Sequence, residues 1–394
     1  MRLENVCIPV EAAWSSPFVR WQGPAAGVSS LDLAVQVTSR ALADRGVDWS
    51  FRQLVLGWTV PQKESFFGAP TVAARIGIGD VSGPMISQAC ATSVRCLHVA
   101  AADQQVHGEG AVLVVATDRT SNGPVLVYPR PEAPGGAPDS ENWMFDNFER
   151  DPTTGEAMLA TAENVAAEAG IGKDEIDALA VRRYEQYLDA LADDRAFQRE
   201  WMVPITVGTR REPVELDEDW GVRPILAEKL AALQPLRDGG VVSYGTQTYP
   251  ADAAAGAVVT SPAEANARGV EGPLAHVLAT GFFRVEPARM PKAPVPAAQA
   301  ALRDAGLAVS DVDIIKTHNP FAVNDAYLAR ELEVDADEVN PYGSSLVYGH
   351  PQGPTGLRGI IELIHALRER GGGIGLFTGC AAGDTGAAVV VRVD

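Results

Sequence analysis

Apolar and polar positions along this chain follow two periods, one of helices and one of strands. Residues 29–46 open on a serine suited to cap a helix and then place apolar side chains at helical spacing. The short apolar run Gln53–Val60 reads as a buried strand by length and composition. A helix is expected over 69–78, a strand running up to Cys90, a helix over 92–107 and a strong strand at Ala111–Ala116. Strands alternating with helices predict an α/β fold on a mostly parallel sheet. Between 119 and 155 Pro, Gly and Asp reach turn density without periodicity. Helical spacing returns over 156–195, and 205–245 is mixed. We read 119–250 as an inserted lobe or lid region.

A second alternation begins near residue 290 and repeats the first. Ala41–Val47 reads ALADRGV and Ala301–Leu307 reads ALRDAGL. Each heptad precedes a strand, a helix, then a further strand and turn. Cys90 lies 49 residues beyond Ala41, and His350 lies 49 residues beyond Ala301. A duplication accounts for one register shared over so many elements. Packed about a pseudo-twofold, the halves would bring the Cys90 and His350 turns face to face at the starts of two central helices.

Cys90 ends an apolar run and begins an Ala-rich helical pattern. Unsatisfied N–H groups at a helix start favour a thiolate, so Cys90 is expected to be the more ionised of the candidate thiols. The rival reading is a packed cysteine at a strand–helix junction. His350 lies in NPYGSSLVYGHPQGPTGLRG, where Gly343, Gly349, Gly353 and Gly356 with Pro351 and Pro354 predict a tight loop before a helix at Leu357–Arg368. It is a candidate general base, or a structural histidine with satisfied hydrogen bonds. Cys380 ends the last apolar strand among small residues. Those residues open room for a ligand and free N–H groups for an oxyanion, or simply let two strands pass closely. Cys96, inside the helix, is expected to pack in the core.

Composition narrows the partners. The 394 residues carry 51 acidic and 32 basic side chains, a formal charge of −19. That sign repels nucleic acid and anionic membranes, so an anionic ligand needs a local basic patch or backbone N–H groups. No apolar run reaches the ~18 residues of a membrane span, and the opening residues lack a secretory pattern. Four cysteines, Cys7, Cys90, Cys96 and Cys380, form no C-x-x-C pair, and the six histidines are scattered. Neither a zinc site nor a disulfide framework is expected. This cysteine usage fits a reducing cytoplasm.

Segments in order along nearly the whole chain resemble the thiolase family. SSPF resembles its R-T-P-F, APTVAARIGI its N-P-A-R-x-A-x-x-x-G, QACATSVR the loop of its nucleophilic cysteine, and TSNGP its M-S-N-x-P. AMLATAENVA matches H-M-G-x-T-A-E-N-V-A, and VRP before LAEKLAALQPL matches R-P-x-x-x-x-E-K-L-A-x-L-x-P. THNPFA resembles N-E-A-F-A, GHPQGPTG is close to G-H-P-x-G-A-(S/T)-G, and GCAAGDTGAAVVV resembles C-x-G-G-G-x-G.

The resemblance implies a thiolase fold: two duplicated α/β halves about a pseudo-twofold, in five αβαβα layers. Residues 1–265 would form the N-terminal domain, carrying the inserted region, and 270–394 the C-terminal domain. Cys90 would be the acyl-accepting nucleophile and His350 its base. Cys380 would exchange a proton with the α-carbon of a second acyl thioester. His318 stands where the family usually has Asn and its sterol-carrier type has His, which implies an oxyanion role; the N–H groups of Cys90 and Ala382 would line the other oxyanion site. Coenzyme A, substrate and product rather than resident cofactor, carries phosphates that this acidic chain must meet with local basic residues; Arg223, Arg210 and Arg211 of the inserted region are the candidates, against plain solvated surface arginines, with Thr248 and Met158 as further contacts, and no metal is implied.

The implied activity is acyl-CoA C-acyltransfer, either condensing two acyl-CoAs or cleaving a 3-ketoacyl-CoA with CoA. Rivals are a ketoacyl-synthase-like or hydroxymethylglutaryl-CoA-synthase-like condensing enzyme, which Cys380 and the GHP loop argue against, and a non-catalytic acyl-CoA-binding subunit. A homodimer or dimer of dimers is implied, with Ala111–Ala116 expected as an edge strand that a partner extends. The departures are specific. Asn319 and Pro320 match neither variant, Ala157 replaces a pantetheine-site His, Thr92-Ser93 replaces Ser-Gly, and Ala382 replaces Gly. YGTQTYPAD around Thr248 replaces the usual G-N-S/A-S, with Asp252 expected to be structural.

Overall fold

The structure is a computed structural model describing residues 1–46 and 48–394; Val47, the last residue of the first heptad, lies outside them. Eleven strands form one sheet: β1 (Cys7–Pro9), β2 (Ala13–Ser15), β3 (Val19–Arg20), β4 (Phe51–Gly57), β5 (Met85–Ile86), β6 (Ala111–Arg119), β7 (Ala251–Thr260), β8 (Leu274–Arg284), β9 (Ile314–His318), β10 (Gly373–Ala381) and β11 (Thr385–Val393). Their order is β9-β10-β11-β8-β1-β7-β6-β4-β5, with β2 and β3 also on β7. The run β9-β10-β11-β8 mirrors β4-β6-β7-β1, so a pseudo-twofold passes between β8 and β1. The sheet is mixed, not mostly parallel. Only β4 with β5 and β6, and β9 with β10, run parallel. Helical crossovers link those strands, whereas the return from Ala381 to Thr385 is too short for anything but an antiparallel turn.

The helices α1 (Ser30–Arg45), α2 (Thr92–His107), α3 (Pro294–Ala305) and α4 (Gln352–Glu369) complete the layers. α1 is capped by Ser29, which accepts from the Asp32 N–H at 3.1 Å, and it ends at Gly46 in the left-handed conformation. Along β6, Val112 and Val114 face a core shared with α2 and α4, while Ala111, Leu113 and Val115 face a second core under α1. On β11, Val389 and Val391 face the shared core, and Ala388 and Val390 face a third under α3. Both sheet faces are covered, which is why these strands read as unbroken apolar runs. The layers are therefore α1, half-sheet, α2 with α4, half-sheet, α3.

Three expectations shift. β4 is Phe51–Gly57, so Trp58–Val60 leaves the sheet. β6 lies between β4 and β7, so Ala111–Ala116 is interior and cannot extend a partner's sheet; the edges are β5 and β9. α4 starts at Gln352, not Leu357, and Gly353 and Gly356 belong to its first turns. A Cβ on Gly356 would come within 2.9 Å of Val94 on α2, so this glycine permits close packing of the two central helices. The inserted region holds more order than its composition suggests. It contains a hairpin (Val125–Tyr128 with Asp139–Asn142), a short helix Phe145–Glu149, the helices Met158–Ala169 and Lys173–Ala190, and a second hairpin (Ile205–Gly208 with Pro213–Leu216). Val165 and Ile176 of its helices share a core with Phe321 and Cys380, which fastens the region over the second half. Among the described residues no helix is long and apolar enough to cross a membrane.

Candidate active site

Cys90 occupies the turn between β5 and α2. Ala89 there is held at φ 45°, a left-handed conformation that costs a non-glycine residue about 1–3 kcal/mol. Thr92 Oγ1 holds the turn, accepting from the Gln88 N–H at 2.8 Å and donating to the Ala89 carbonyl at 2.7 Å. The Thr92-Ser93 departure is thus structural on both counts, because Ser93 Oγ accepts the Leu357 N–H of α4 at 2.8 Å.

His350 approaches from the other half. Its Nε2 lies 3.0 Å from Cys90 Sγ, and its Nδ1 lies 2.7 Å from Thr355 Oγ1. The Thr355 hydroxyl gives its one hydrogen to the Pro351 carbonyl at 2.6 Å, so it must accept from His350 Nδ1–H. Nε2 is left with a lone pair facing the thiol. Burial, with His318 alongside, pushes His350 well below the ordinary histidine value, so the ring is neutral.

The thiolate expected at Cys90 from the helix start is not what the site holds at rest. Burial pushes the thiol up to about 12, against the pull of the Ala382 and Cys90 N–H groups. Desolvation of an enclosed sulfur outweighs the partial charge of a helix end. Cys380 is pushed well above its ordinary value, first by burial and then by charge on Cys90. Asn324 Nδ2 donates to its sulfur at 3.2 Å.

His318 ends β9 opposite Gly379 of β10, where a Cβ would stand 2.8 Å from His318 Cβ. The glycine before Cys380 is what lets the two strands carry these side chains together. The His318 ring stacks on His350 with centroids 4.0 Å apart at 26°. Ser345 Oγ lies 2.9 Å from its Nδ1, and its buried Nε2 has no partner among the described residues. Donation from Ser345 to Nδ1 would put the ring hydrogen on Nε2 and make it a free donor in the site. Burial holds this ring neutral too, with a pKa down to about 3.

Donor atoms of Cys90, His318 and His350 lie within 4.8 Å of one another, a spacing a metal ion could bridge. One of these atoms, His350 Nε2, already meets the Cys90 thiol at 3.0 Å, an arrangement for proton transfer. Asp118 of β6 ties the segment after β4 to the start of α4 beside His350. Its carboxylate accepts from Thr59 N–H at 2.8 Å, Val60 N–H at 3.0 Å and Gly353 N–H at 2.6 Å. Asp252 is structural as expected, accepting from Ser121 N–H at 2.9 Å.

Cys90, His350 and Ala382 open into a cavity of about 570 Å³ that Met158 and Thr248 also line. A second cavity, about 790 Å³, adjoins it across Tyr244, Gln247, Thr248, Tyr249 and Pro250, and is lined by Arg20, Arg223 and Lys229. Among the described residues none of these three cations has a carboxylate within 4.0 Å. Arg223 also helps lower Arg20, after burial. Buried Arg358 of α4 grips the segment before Arg223 through Asp219, at 2.6 and 2.7 Å. Arg210 and Arg211 line neither cavity. They lie in the turn of the second hairpin, whose Thr206 bonds Arg40 and Gln36 of α1 on the outer layer.

Residues 8–263 match the family model described as "Thiolase, N-terminal domain", and residues 271–393 match "Thiolase, C-terminal domain". The chain belongs to the thiolase family. Among thiolase relatives, the acetyl-CoA acetyltransferase of Escherichia coli (strain K12) is 30% identical over 380 residues, covering 94% of this chain and 95% of its own. The mitochondrial 3-ketoacyl-CoA thiolase of Homo sapiens is 32% identical over 237 residues, 60% of this chain and 59% of its own. The crystal structure of the Bacillus anthracis acetyl-CoA acetyltransferase superposes with a TM-score of 0.92 at 28% identity, over 100% of both chains.

Proposed function

We propose that this thiolase-family acyltransferase carries an acyl group on Cys90 and exchanges it between coenzyme A and the α-carbon of a second acyl thioester. The observation that carries the reading is the chain Cys90 Sγ, His350, Thr355 at 3.0 and 2.7 Å beside the unpartnered Nε2 of His318.

In acylation, His350 Nε2 takes the Cys90 proton as the sulfur attacks the thioester carbon. The oxyanion accepts from the N–H groups of Cys90 and Ala382. On collapse the carbon–sulfur bond to CoA breaks, and His350 returns the proton to the leaving thiolate. In condensation, the Cys380 thiol gives its proton to the free His350 Nε2 and as thiolate takes the α-proton of the second thioester, whose enolate oxygen accepts from His318 Nε2–H. The α-carbon attacks the acyl carbon and Cys90 leaves, taking the proton held by His350; Cys380 keeps the α-proton, so both thiols end as they began. Thiolytic cleavage is the reverse sequence.

Coenzyme A fits the adjoining cavity, where three unneutralised cations in a chain of charge −19 match its phosphates. Thr248 lies on the shared wall and Met158 in the first cavity, so both are in reach of the pantetheine arm. Four free cysteines fit the reducing cytoplasm. Self-association fits the short edge strand β5, beside which Phe66 is 81% and Phe67 68% exposed. Incubation with acyl-CoA followed by peptide mass analysis tests the reading: the acyl group is expected on Cys90 with equimolar free CoA, and transfer to no residue or to another one would overturn it.

A further inference from the structure

One part of the cavity above Cys90 is not shared with the cationic cavity. Met144, Phe145, Phe148, Leu159, Met290 and Phe321 line it alone. The segment bearing the first three is anchored, since Trp143 Nε1 donates to the Thr59 carbonyl at 2.8 Å and Phe145 packs edge-on against Trp21 at 5.4 Å. This is a built apolar wall. At about 570 Å³ the cavity falls in the ~300–1,000 Å³ range of sites for drug-sized ligands, room for the end of the pantetheine arm and an acyl group larger than acetyl.

One polar side chain on this wall has nothing to bind. Gln352, two residues beyond His350 at the start of α4, is only 8% exposed, lines the cavity, and makes no side-chain hydrogen bond among the described residues. Its amide is open to the cavity, where a ligand or water can bond it. The cavity's hydroxyls nearest its inner wall are committed: Thr120 donates to the Ala251 carbonyl, Thr248 to that of Ser345 and Tyr249 to that of Val347, whereas Tyr244 lies on the wall shared with the cationic cavity and Glu149 is exposed. Gln247 is also unbonded but lies on the wall shared with the cationic cavity.

We infer that the acyl group this chain transfers has an apolar body of roughly five or more carbons, or a ring, and carries an uncharged hydrogen-bonding group that the Gln352 amide reads. The inference rests on the acyl-enzyme reading of the same site. A carboxylated acyl group is disfavoured, because Asp118 accepts from Gly353 next to Gln352 and Glu149 lines the same cavity.

The test is single-turnover acylation of Cys90, followed by intact mass. Acetyl-CoA, hexanoyl-CoA and the 4-, 5- and 6-hydroxyhexanoyl-CoAs are compared on the wild type, Gln352→Leu and Gln352→Met. Hexanoyl-CoA should acylate at least about tenfold faster than acetyl-CoA, and one hydroxylated ester should outpace hexanoyl-CoA by about tenfold. Both variants should lose that second preference; a ratio within one variant does not depend on how much of it folds. Acetyl-CoA matching hexanoyl-CoA would overturn the size assignment. An absent hydroxyl preference, or one that survives both substitutions, would overturn the role of Gln352. Acylation by none of the esters would instead overturn the acyl-enzyme reading on which the inference rests.

Discussion

His350 Nε2 meets Cys90 Sγ at 3.0 Å across 260 positions of the chain. Each residue stands just before a central helix, α2 or α4, and the two helices pack against each other through Gly356 and Val94. The proposed nucleophile and its proposed base are therefore equivalent positions of two halves, and the pseudo-twofold is what brings them together.

Thr355 sets the tautomer of that base. Thr355→Val should slow acylation of Cys90 by about tenfold or more, and Thr355→Ser should restore most of it. Protonating His350 removes the lone pair that accepts the thiol hydrogen, and burial holds that event well below its ordinary pH. The wild-type acylation rate should thus stay flat as pH falls through 6.5 and decline only below it. A half-maximal point at 6.5 in stopped-flow acylation would contradict this assignment.

In the proposed cycle His318 donates Nε2–H to the second substrate, not to the thiol. His318→Ala should lower carbon–carbon bond formation by about 100-fold, the usual loss for one oxyanion donor, while acylation falls by less than about tenfold. Equal losses in the two half-reactions would place His318 elsewhere in the cycle.

Much of this architecture is legible in the pattern of residues. The repeated heptads and the equal 49-residue intervals anticipate the pairing of Cys90 with His350, because register survives duplication even where sequence does not. Hydroxyl partners are not legible in the same way. Thr355 and Ser345 sit in the string that contains His350, yet only the fold decides which ring each one faces. The resting state of Cys90 is also a tertiary property, since a helix start is local and burial is not. Arg20 escaped notice because it lies far in sequence from Arg223, and Arg210 with Arg211 drew it because charge density in sequence says nothing of which cavity a turn overlooks.

The cationic cavity gives a clean contrast. Charge reversal at Arg223 or Arg20 should raise KM for acyl-CoA about tenfold with a smaller change in kcat. Reversal at Arg210 and Arg211 together should leave both within about twofold. Steady-state kinetics on these variants at fixed ionic strength separate the two sites.

Self-association should depend on the edge strand β5. The wild type should scatter light as a dimer or larger at micromolar concentration, and Phe66→Ser with Phe67→Ser should shift it toward the monomer. A monomeric wild type would remove the proposed surface.

The central claim is a division of labour between two thiols. It is tested most directly by measuring acylation and carbon–carbon bond formation separately on Cys90→Ala and Cys380→Ala. Cys90→Ala should take up no acyl group and show no turnover. Cys380→Ala should still gain one acyl mass on Cys90, yet form and cleave carbon–carbon bonds at least about 1,000-fold more slowly than the wild type. A Cys380→Ala enzyme that condenses at the wild-type rate would contradict the account.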